Sequence, residues 1–450
     1  MNSWLSIVLL LLLACCHVPF VVHFIRTLRE GYIPGSCSFA AMGIVLYYDL
    51  GIVFQLLGVP YQNPFFPALR DCTDEEVAVL ILLVIAAPYL LWLGAGLLRR
   101  RNDELHRDAR VEMSVTAQRL FPLVFLPLCL ALAGFGAYAI WGAQSIAEIK
   151  PMWVSFFGSS YIVFLFPMFL LAFFVRTSFA KRRSGQVILY VILACAVVAT
   201  LFLGQRTMTL LPFLILAIFH YRVRILRLAL AAVVLITISA ATLSFYKGYA
   251  VQENLELGDG LLQVLNNDVT RANVLARALR ESREIGTHVL PFAGQGYVHS
   301  ATLYIPRKLL PEKGYSTTAY FTGLSTGEDV EYLGWGLGVG FLEQISLNFG
   351  FWFLVPTILL YGLGLGSLDR VSESFPAAVV GIRLGAVWMS GYDASSLVLY
   401  FGSMTIFAML LESFVASRTS VTHGNLAMSP STLSSPTSLL PDGSPLALER

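Results

Sequence analysis

The sequence predicts an all-α polytopic membrane protein with about 11 transmembrane helices, one large extracytoplasmic loop and a disordered C-terminal tail. Three observations carry that expectation. Of 450 residues, 56% are hydrophobic and 13% charged, against roughly 25% charged in soluble domains. The apolar residues gather into runs of about the 20 residues a helix needs to cross the hydrocarbon core. Basic residues fall on alternate connections between those runs. The net charge is only +2, which gives no reason to expect a nucleic-acid partner. Six cysteines (15, 16, 37, 72, 129, 195) sit within or beside apolar runs without metal-ligand spacing, and only Cys72 falls on the outer side. No disulfide framework is implied.

The first apolar run, Trp4 to Phe24, lacks a basic leader region and a small-residue cleavage site, so it reads as a retained helix. Arg26 and Arg29 follow, then a second run from Ser36 to Val59 with Asp49 near its middle. A Pro-rich, acidic connection leads to the third helix, Val77 to Leu98. The connection after it is strongly basic, with Arg99, Arg100, Arg101, Arg107, Arg110 and Arg119. The fourth and fifth runs are Leu120 to Trp141 and Val154 to Val175, the latter followed by Arg176, Lys181, Arg182 and Arg183. The sixth, Gln186 to Gly204, turns at Arg206 into a short seventh, Thr207 to His220. The eighth, Leu228 to Phe245, opens into a polar segment, and the ninth to eleventh are Ile345 to Leu365, Pro376 to Ser390 and Leu397 to Val415.

Seventeen Lys and Arg lie on one set of connections (26–30, 99–119, 176–183, 221–227, 370, 418) against three on the short loops opposite, Arg70, Lys150 and Arg206. The positive-inside rule makes the first set cytoplasmic. The N-terminus and the long loop then face outward. The expected organisation is helices 1 to 8 over residues 1–245, a periplasmic loop over 246–344, helices 9 to 11 over 345–416, and a disordered cytoplasmic tail over 417–450, where Ser, Thr and Pro replace the apolar runs.

The loop holds the candidate chemistry. Leu261 to Glu284 has a helical pattern with Val264, Val274, Leu275 and Leu279 on one face and Asn273, Arg277, Arg280 and Glu284 opposite. Arg271 falls on the apolar face, where a guanidinium needs an anion, a cavity or a local partner such as Asp268. Gly296 to Gly323 places His299, Arg307, Lys308 and Lys313 among Tyr297, Tyr304, Tyr315, Tyr320 and Phe321. Aromatic rings offer stacking surfaces for sugars, and they equally suit a loop resting on a bilayer. His299 titrates in the right range for proton transfer, and a structural, hydrogen-bonded histidine is the plainer reading. Arg206, at a helix end on the side poor in cations, is either a lipid-phosphate anchor or a phosphate clamp.

Gly334, Gly336, Gly338 and Gly340 then lead into Glu343 through a stretch too long for one span, read as a re-entrant or tightly packed piece before the ninth helix. Asp49, Glu343 and Arg383 are ionisable groups in apolar surroundings and candidates for function on that ground. Pairing of Asp49 with Arg383 is the structural alternative for those two. No metal-site spacing and no Gly-rich phosphate loop is found, so no metal and no cofactor is expected.

The segments LGQRTMTLLPFLI (Leu203 to Ile215), NDVTRANVLARAL (Asn267 to Leu279), YIPRKLLPEKG (Tyr304 to Gly314) and FLEQISLNFGFW (Phe341 to Trp352) resemble, in that order, segments of the bacterial O-antigen polymerases, the Wzy-type oligosaccharide repeat unit polymerases. The resemblance implies a metal-independent membrane glycosyltransferase of the bacterial inner membrane, acting on undecaprenyl-diphosphate-linked oligosaccharide to build O-antigen or exopolysaccharide. It implies Arg206, Arg271, Arg307 and Lys313 as diphosphate-binding groups and Glu343 as a catalytic one, with His299 kept as the second catalytic candidate on its own chemistry. A chain-length regulator and a flippase are the candidate protein partners. Where family members carry an arginine before the penultimate outer loop, this chain reads WMSGYDASS, Trp388 to Ser396, with only Asp393 charged. The alternatives kept open are ligase-type transfer of finished glycan to an acceptor and flipping of the lipid-linked unit.

Overall fold

The structure, a computed structural model, describes residues 3–30, 32–57, 66–97, 110–142, 162–202, 206–221, 271–305, 308–310, 312–330 and 337–416. Several expectations lie outside the described residues: the eighth span (228–245), the first part of the loop with Asp268, the cluster Arg99 to Arg107, Arg307, Gly334 and Gly336, the tail, and the side chain of Arg206.

The apolar runs form helices, and among the described residues there is no β-strand, only two isolated bridges, Val111 with Thr177 and Met113 with Ala416. Among the described residues, six helices are long and apolar enough to cross a bilayer: α1 (Ser3–Arg29), α2 (Ser36–Leu56), α3 (Asp74–Gly96), α4 (Val115–Gly142), α12 (Phe351–Ser374) and α14 (Ala394–Val415). The chain is therefore a multi-pass helical membrane protein. Shorter apolar helices are α5 (Ile162–Phe174), α6 (Arg183–Phe202), α7 (Arg206–Ile215, continuing as the π-turn Leu216–Tyr221) and α13 (Pro376–Trp388). The polar segment contributes α8 (Ala272–Ile285), α9 (Gln295–Ala301) and α10 (Thr317–Thr326), and α11 (Phe341–Phe349) precedes α12.

Local chemistry explains the boundaries. At the start of α3 the Thr73 hydroxyl accepts from the Glu76 N–H at 3.2 Å, while Glu76 accepts from the Thr73 N–H at 2.8 Å. That reciprocal cap leaves Asp74, Glu75 and Glu76 on the first turn, where the helix dipole favours them. Glycine lets α3 and α12 cross closely: a Cβ on Gly94 of α3 would lie 2.2 Å from the Leu359 carbonyl of α12, and one on Gly362 would lie 2.3 Å from the Leu91 carbonyl.

The ninth helix differs from the expected Ile345 to Leu365. Gly350 has φ 87° and breaks the run, so α11 is a separate buried helix and the span begins at Phe351. Hydropathy alone is continuous across that glycine; the left-handed backbone is what ends the helix.

Hydrogen bonds sort the ends of the bundle into two groups. At one end Ser36 bonds Asp369, the Ala377 N–H donates to Glu412 at 2.9 Å, and the Val111 N–H donates to the Arg176 carbonyl at 2.9 Å. At the other, Arg280 of α8 pairs with Glu76 at 2.7 Å and Arg283 with Glu75 at 2.6 Å. Asn273 is buried there, its amide donating to Gln55 at 3.0 Å and to the Pro67 carbonyl at 2.6 Å. This corrects two readings. Asn273 belongs to the packed face of α8, and Arg280 and Arg283 dock the loop helix onto the head of α3.

Candidate functional site

The site grows from a π-turn in α2. Residues Val45–Asp49 wind wider than the α-helix around them, which offers main-chain carbonyls off the usual ladder and is a feature common at functional sites. Three consecutive residues of that turn reach three different elements. The Tyr47 carbonyl accepts from the Arg271 N–H at 2.5 Å. The Tyr48 hydroxyl donates to Glu343 Oε2 at 2.7 Å. Asp49 meets His17 Nδ1 of α1 at 2.5 Å.

Arg271 is the N-cap residue of α8. Its Nη1 donates to the Gly338 carbonyl at 3.4 Å, and its Nε is buried without a partner. Glu343, in the first turn of α11, is fully buried, and its Oε1 is likewise without a partner. No ion pair joins Arg271 to Glu343 among the described residues. The spacing of the glycines now has a reason. A Cβ on Gly338 would lie 2.6 Å from the Arg271 guanidinium, and one on Gly340 would lie 2.2 Å from the Ser390 carbonyl and 2.7 Å from the Tyr48 hydroxyl. At Gly340 only glycine fits beneath the Ser390 backbone, and at Gly338 a side chain would displace the Arg271 guanidinium.

Burial pushes the Glu343 carboxyl up to about 7, while the Tyr48 hydrogen bond and the Arg271 charge pull it down. Glu343 lies outside the spanning helices. At neutral pH it is therefore poised between acid and base.

The rest of α11 stitches the site together. Gln344 Oε1 accepts from the Ala394 N–H at 2.9 Å, and Asn348 Oδ1 accepts from the Gly296 N–H at 2.8 Å while its amide donates to Thr317 at 3.1 Å. Helices α9, α10 and α14 thus hang on one buried polar face. The sequence points to Asn348 only as a polar residue following Glu343 after the glycines, and it does not single out Tyr48, Gln344 or the π-turn. The available signal was the polar triplet Tyr47, Tyr48 and Asp49 inside an apolar run, of which only Asp49 drew notice.

The remaining candidates fall elsewhere. His299 of α9 donates from Nδ1 to the Gly314 carbonyl at 2.7 Å, since a carbonyl only accepts. Lys313 is buried, its ammonium on the Leu303 and Ile305 carbonyls at 2.8 and 3.1 Å. Neither is bonded to Arg271 or Glu343. Arg206 opens α7, its side chain undescribed, and Arg307 is outside the described residues. Asp393 caps α14, accepting from the Ser396 N–H at 2.9 Å. The expected pair of Asp49 with Arg383 does not form. Asp49 pairs with His17, and Arg383 pairs with Asp369 and Ser36. Each buried charge found a partner on the helix packed against it, which a linear sequence does not reveal.

Beside the polar site, helices α12, α13 and α14 enclose a groove of about 910 Å³. Its walls are apolar and thinned by Gly364, Gly381, Gly385 and Gly402, and it rises to Phe349, Tyr361 and Ala394. At its head the Tyr361 hydroxyl donates to the Tyr297 hydroxyl at 3.1 Å. Its upper wall includes Ala394, whose N–H Gln344 holds.

No protein family model, no curated protein and no solved structure matches the chain. What the geometry offers is a buried carboxyl with one unpartnered oxygen, a guanidinium with one buried, unpartnered N–H, and an apolar groove joined to them through the Gln344–Ala394 hydrogen bond.

Proposed function

We propose that this protein polymerises lipid-linked oligosaccharide repeat units, carried on undecaprenyl diphosphate, into a surface polysaccharide at the periplasmic face of a bacterial inner membrane. The observation that supports the reading is that Arg271 from the polar segment and Glu343 of α11 both come to the π-turn of α2, one on the Tyr47 carbonyl and one on the Tyr48 hydroxyl, each ionic group with an unpartnered atom. In this reading the chain crosses the membrane 11 times by the count made from the sequence. In the same reading the segment 246–344 is periplasmic, which the pairing of Arg280 with Glu76 and of Arg283 with Glu75, on a connection poor in Lys and Arg, supports.

The transfer joins a terminal sugar hydroxyl of a fresh unit to the anomeric carbon of the growing glycan and breaks that carbon's bond to the diphosphate oxygen. Glu343 Oε1 takes the hydroxyl proton, and the positive charge of Arg271, joined by Arg206, stabilises the departing diphosphate. The Tyr48 hydrogen bond keeps the other carboxylate oxygen in place. The groove between α12, α13 and α14 takes part of the carrier's hydrocarbon chain. His299 remains a second candidate for proton transfer, and Arg307 and Lys313 further candidates for the diphosphate. A chain-length regulator and a flippase are the partners such a reaction calls for.

Deleting the gene and resolving surface glycan on a gel tests the reading. A single repeat unit on the acceptor with no ladder supports polymerisation. Polymer stranded on the carrier supports a ligase, and units trapped inside support a flippase. Arg206→Ala and Arg271→Ala should each abolish the ladder while the protein accumulates, and normal ladders from both overturn the diphosphate assignment.

A further inference from the structure

We infer that the groove between α12, α13 and α14 binds a lipid by its hydrocarbon chain and holds it at one end through a hydrogen bond from the Tyr297 hydroxyl to an oxygen of the lipid's head group. The inference takes up the groove that the reaction proposed above gives to the carrier's chain, but it rests on the groove's own geometry and is tested by binding alone.

The Tyr297 hydroxyl has a hydrogen to give. A tyrosine hydroxyl carries one hydrogen and can also accept. Tyr361 uses its hydrogen on Tyr297 at 3.1 Å, which leaves the Tyr297 hydrogen with no acceptor among the described residues. The ring that carries it is fixed in place. It stacks on Phe349 with centroids 5.4 Å apart and planes 16° apart, and Asn348 holds the N–H of the preceding residue, Gly296, at 2.8 Å. Tyr297 lines the groove. A donor left unmade in apolar surroundings is costly, so the acceptor is to come from whatever fills the groove.

The rest of the groove fits a chain. Its lining includes no Lys, Arg, Asp or Glu, and two of its walls are the spanning helices α12 and α14, so hydrocarbon is the filling that costs no desolvation of charge. Along α12 the lining runs from Phe353 to Leu368, about 22 Å at a rise of 1.5 Å per residue. Glycine keeps it open: a Cβ on Gly364 would meet nothing within 4 Å, and one on Gly402 nothing closer than 3.8 Å. With no cation in the walls, a negative charge is not what this groove selects. The directional contact it offers is to an oxygen acceptor, which phosphate and sugar head groups both present.

The test uses the full chain exchanged into amphipol and titrated with dodecyl maltoside, dodecyl phosphate and dodecyltrimethylammonium, each below its micellar concentration, with binding read as heat. The three share a chain; the first two bring oxygen acceptors, as sugar and as phosphate, and the third brings none. Gly364→Leu fills the groove and should abolish binding of all three, with Gly402→Leu in its place should that variant fail to fold. Undiminished binding in a folded, groove-filled variant overturns the inference. Tyr297→Phe keeps the ring and removes the donor. It should weaken at least one oxygen-bearing lipid about three- to tenfold and leave dodecyltrimethylammonium unchanged, and the lipid that is weakened identifies the head group. Tyr361→Phe breaks the same bond between the tyrosines but keeps the Tyr297 donor, so it should bind all three as the unaltered chain does. Equal weakening by the two substitutions, weakening of all three lipids by Tyr297→Phe, or no weakening at all overturns the inference. Failure of the polymerase reading on the gel leaves these affinities as they are.

Discussion

Glu343 is the residue on which the proposed chemistry turns, and its environment makes its role measurable. Burial raises the carboxyl to about 7, so below that pH it is protonated and cannot accept a proton. Polymer formation should rise with pH along a limb with its midpoint near 7, measured as ladder formed by purified protein across a pH series. Glu343→Gln keeps the shape and removes the base, so the limb and the ladder should both disappear while the protein still accumulates. Tyr48→Phe removes the hydrogen bond that favours the ionised form, so the midpoint should move to higher pH. A midpoint unmoved in Tyr48→Phe would detach that limb from Glu343. The charged residues Asp49 and Arg383 show why lone intramembrane charges are poor guides to chemistry. Each was singled out correctly as costly in hydrocarbon, and each turned out to be matched, by His17 and by Asp369.

At the scale of elements, the glycines before α11 separate packing from function. Gly340→Ala would press a methyl against the Ser390 carbonyl at 2.2 Å, and backbone cannot swing aside. That substitution should cost about 1–3 kcal/mol, read as a lower unfolding temperature in detergent. Gly338→Ala would meet the far end of the Arg271 side chain at 2.6 Å, which can move. It should leave stability nearly unchanged and still lower polymer formation, because the displaced guanidinium is the proposed diphosphate contact. The π-turn of α2 is the other element of consequence. It turns a spanning helix into a hub, with Tyr47, Tyr48 and Asp49 each holding a different partner.

Across the whole molecule, ion pairs hold the polar segment to the bundle and the bundle helices to one another, and they differ in strength. Arg280 and Glu76 are 28% and 23% exposed, open enough to water for screening, so Arg280→Ala should cost about 1 kcal/mol. Arg383 is buried, while its partner Asp369 is 23% exposed and still holds the Ser36 N–H and hydroxyl, so Arg383→Leu removes a charged hydrogen bond without stranding a buried carboxylate and should cost about 1.5–3 kcal/mol. Chemical unfolding of the two variants in the same detergent compares them, and an Arg280→Ala loss equal to that of Arg383→Leu would contradict the ranking.

The sequence by itself determined that the chain is helical, that it crosses a membrane many times, where most helices run, and that Arg271 and Glu343 deserved notice. Those are sums over neighbouring residues: hydropathy accumulates along twenty positions, and a cation on an apolar face or an acid after a row of glycines is visible in the line of letters. Tertiary structure decided the rest. Whether Asn273 faces water or Gln55, whether Asp49 meets Arg383 or His17, and where the run after Glu343 breaks at Gly350 depend on groups far apart in sequence. The same holds for the site: Tyr48 lies 295 residues before Glu343. Packing brings them to hydrogen-bond distance because the glycines at 338 and 340 let the chain pass between them.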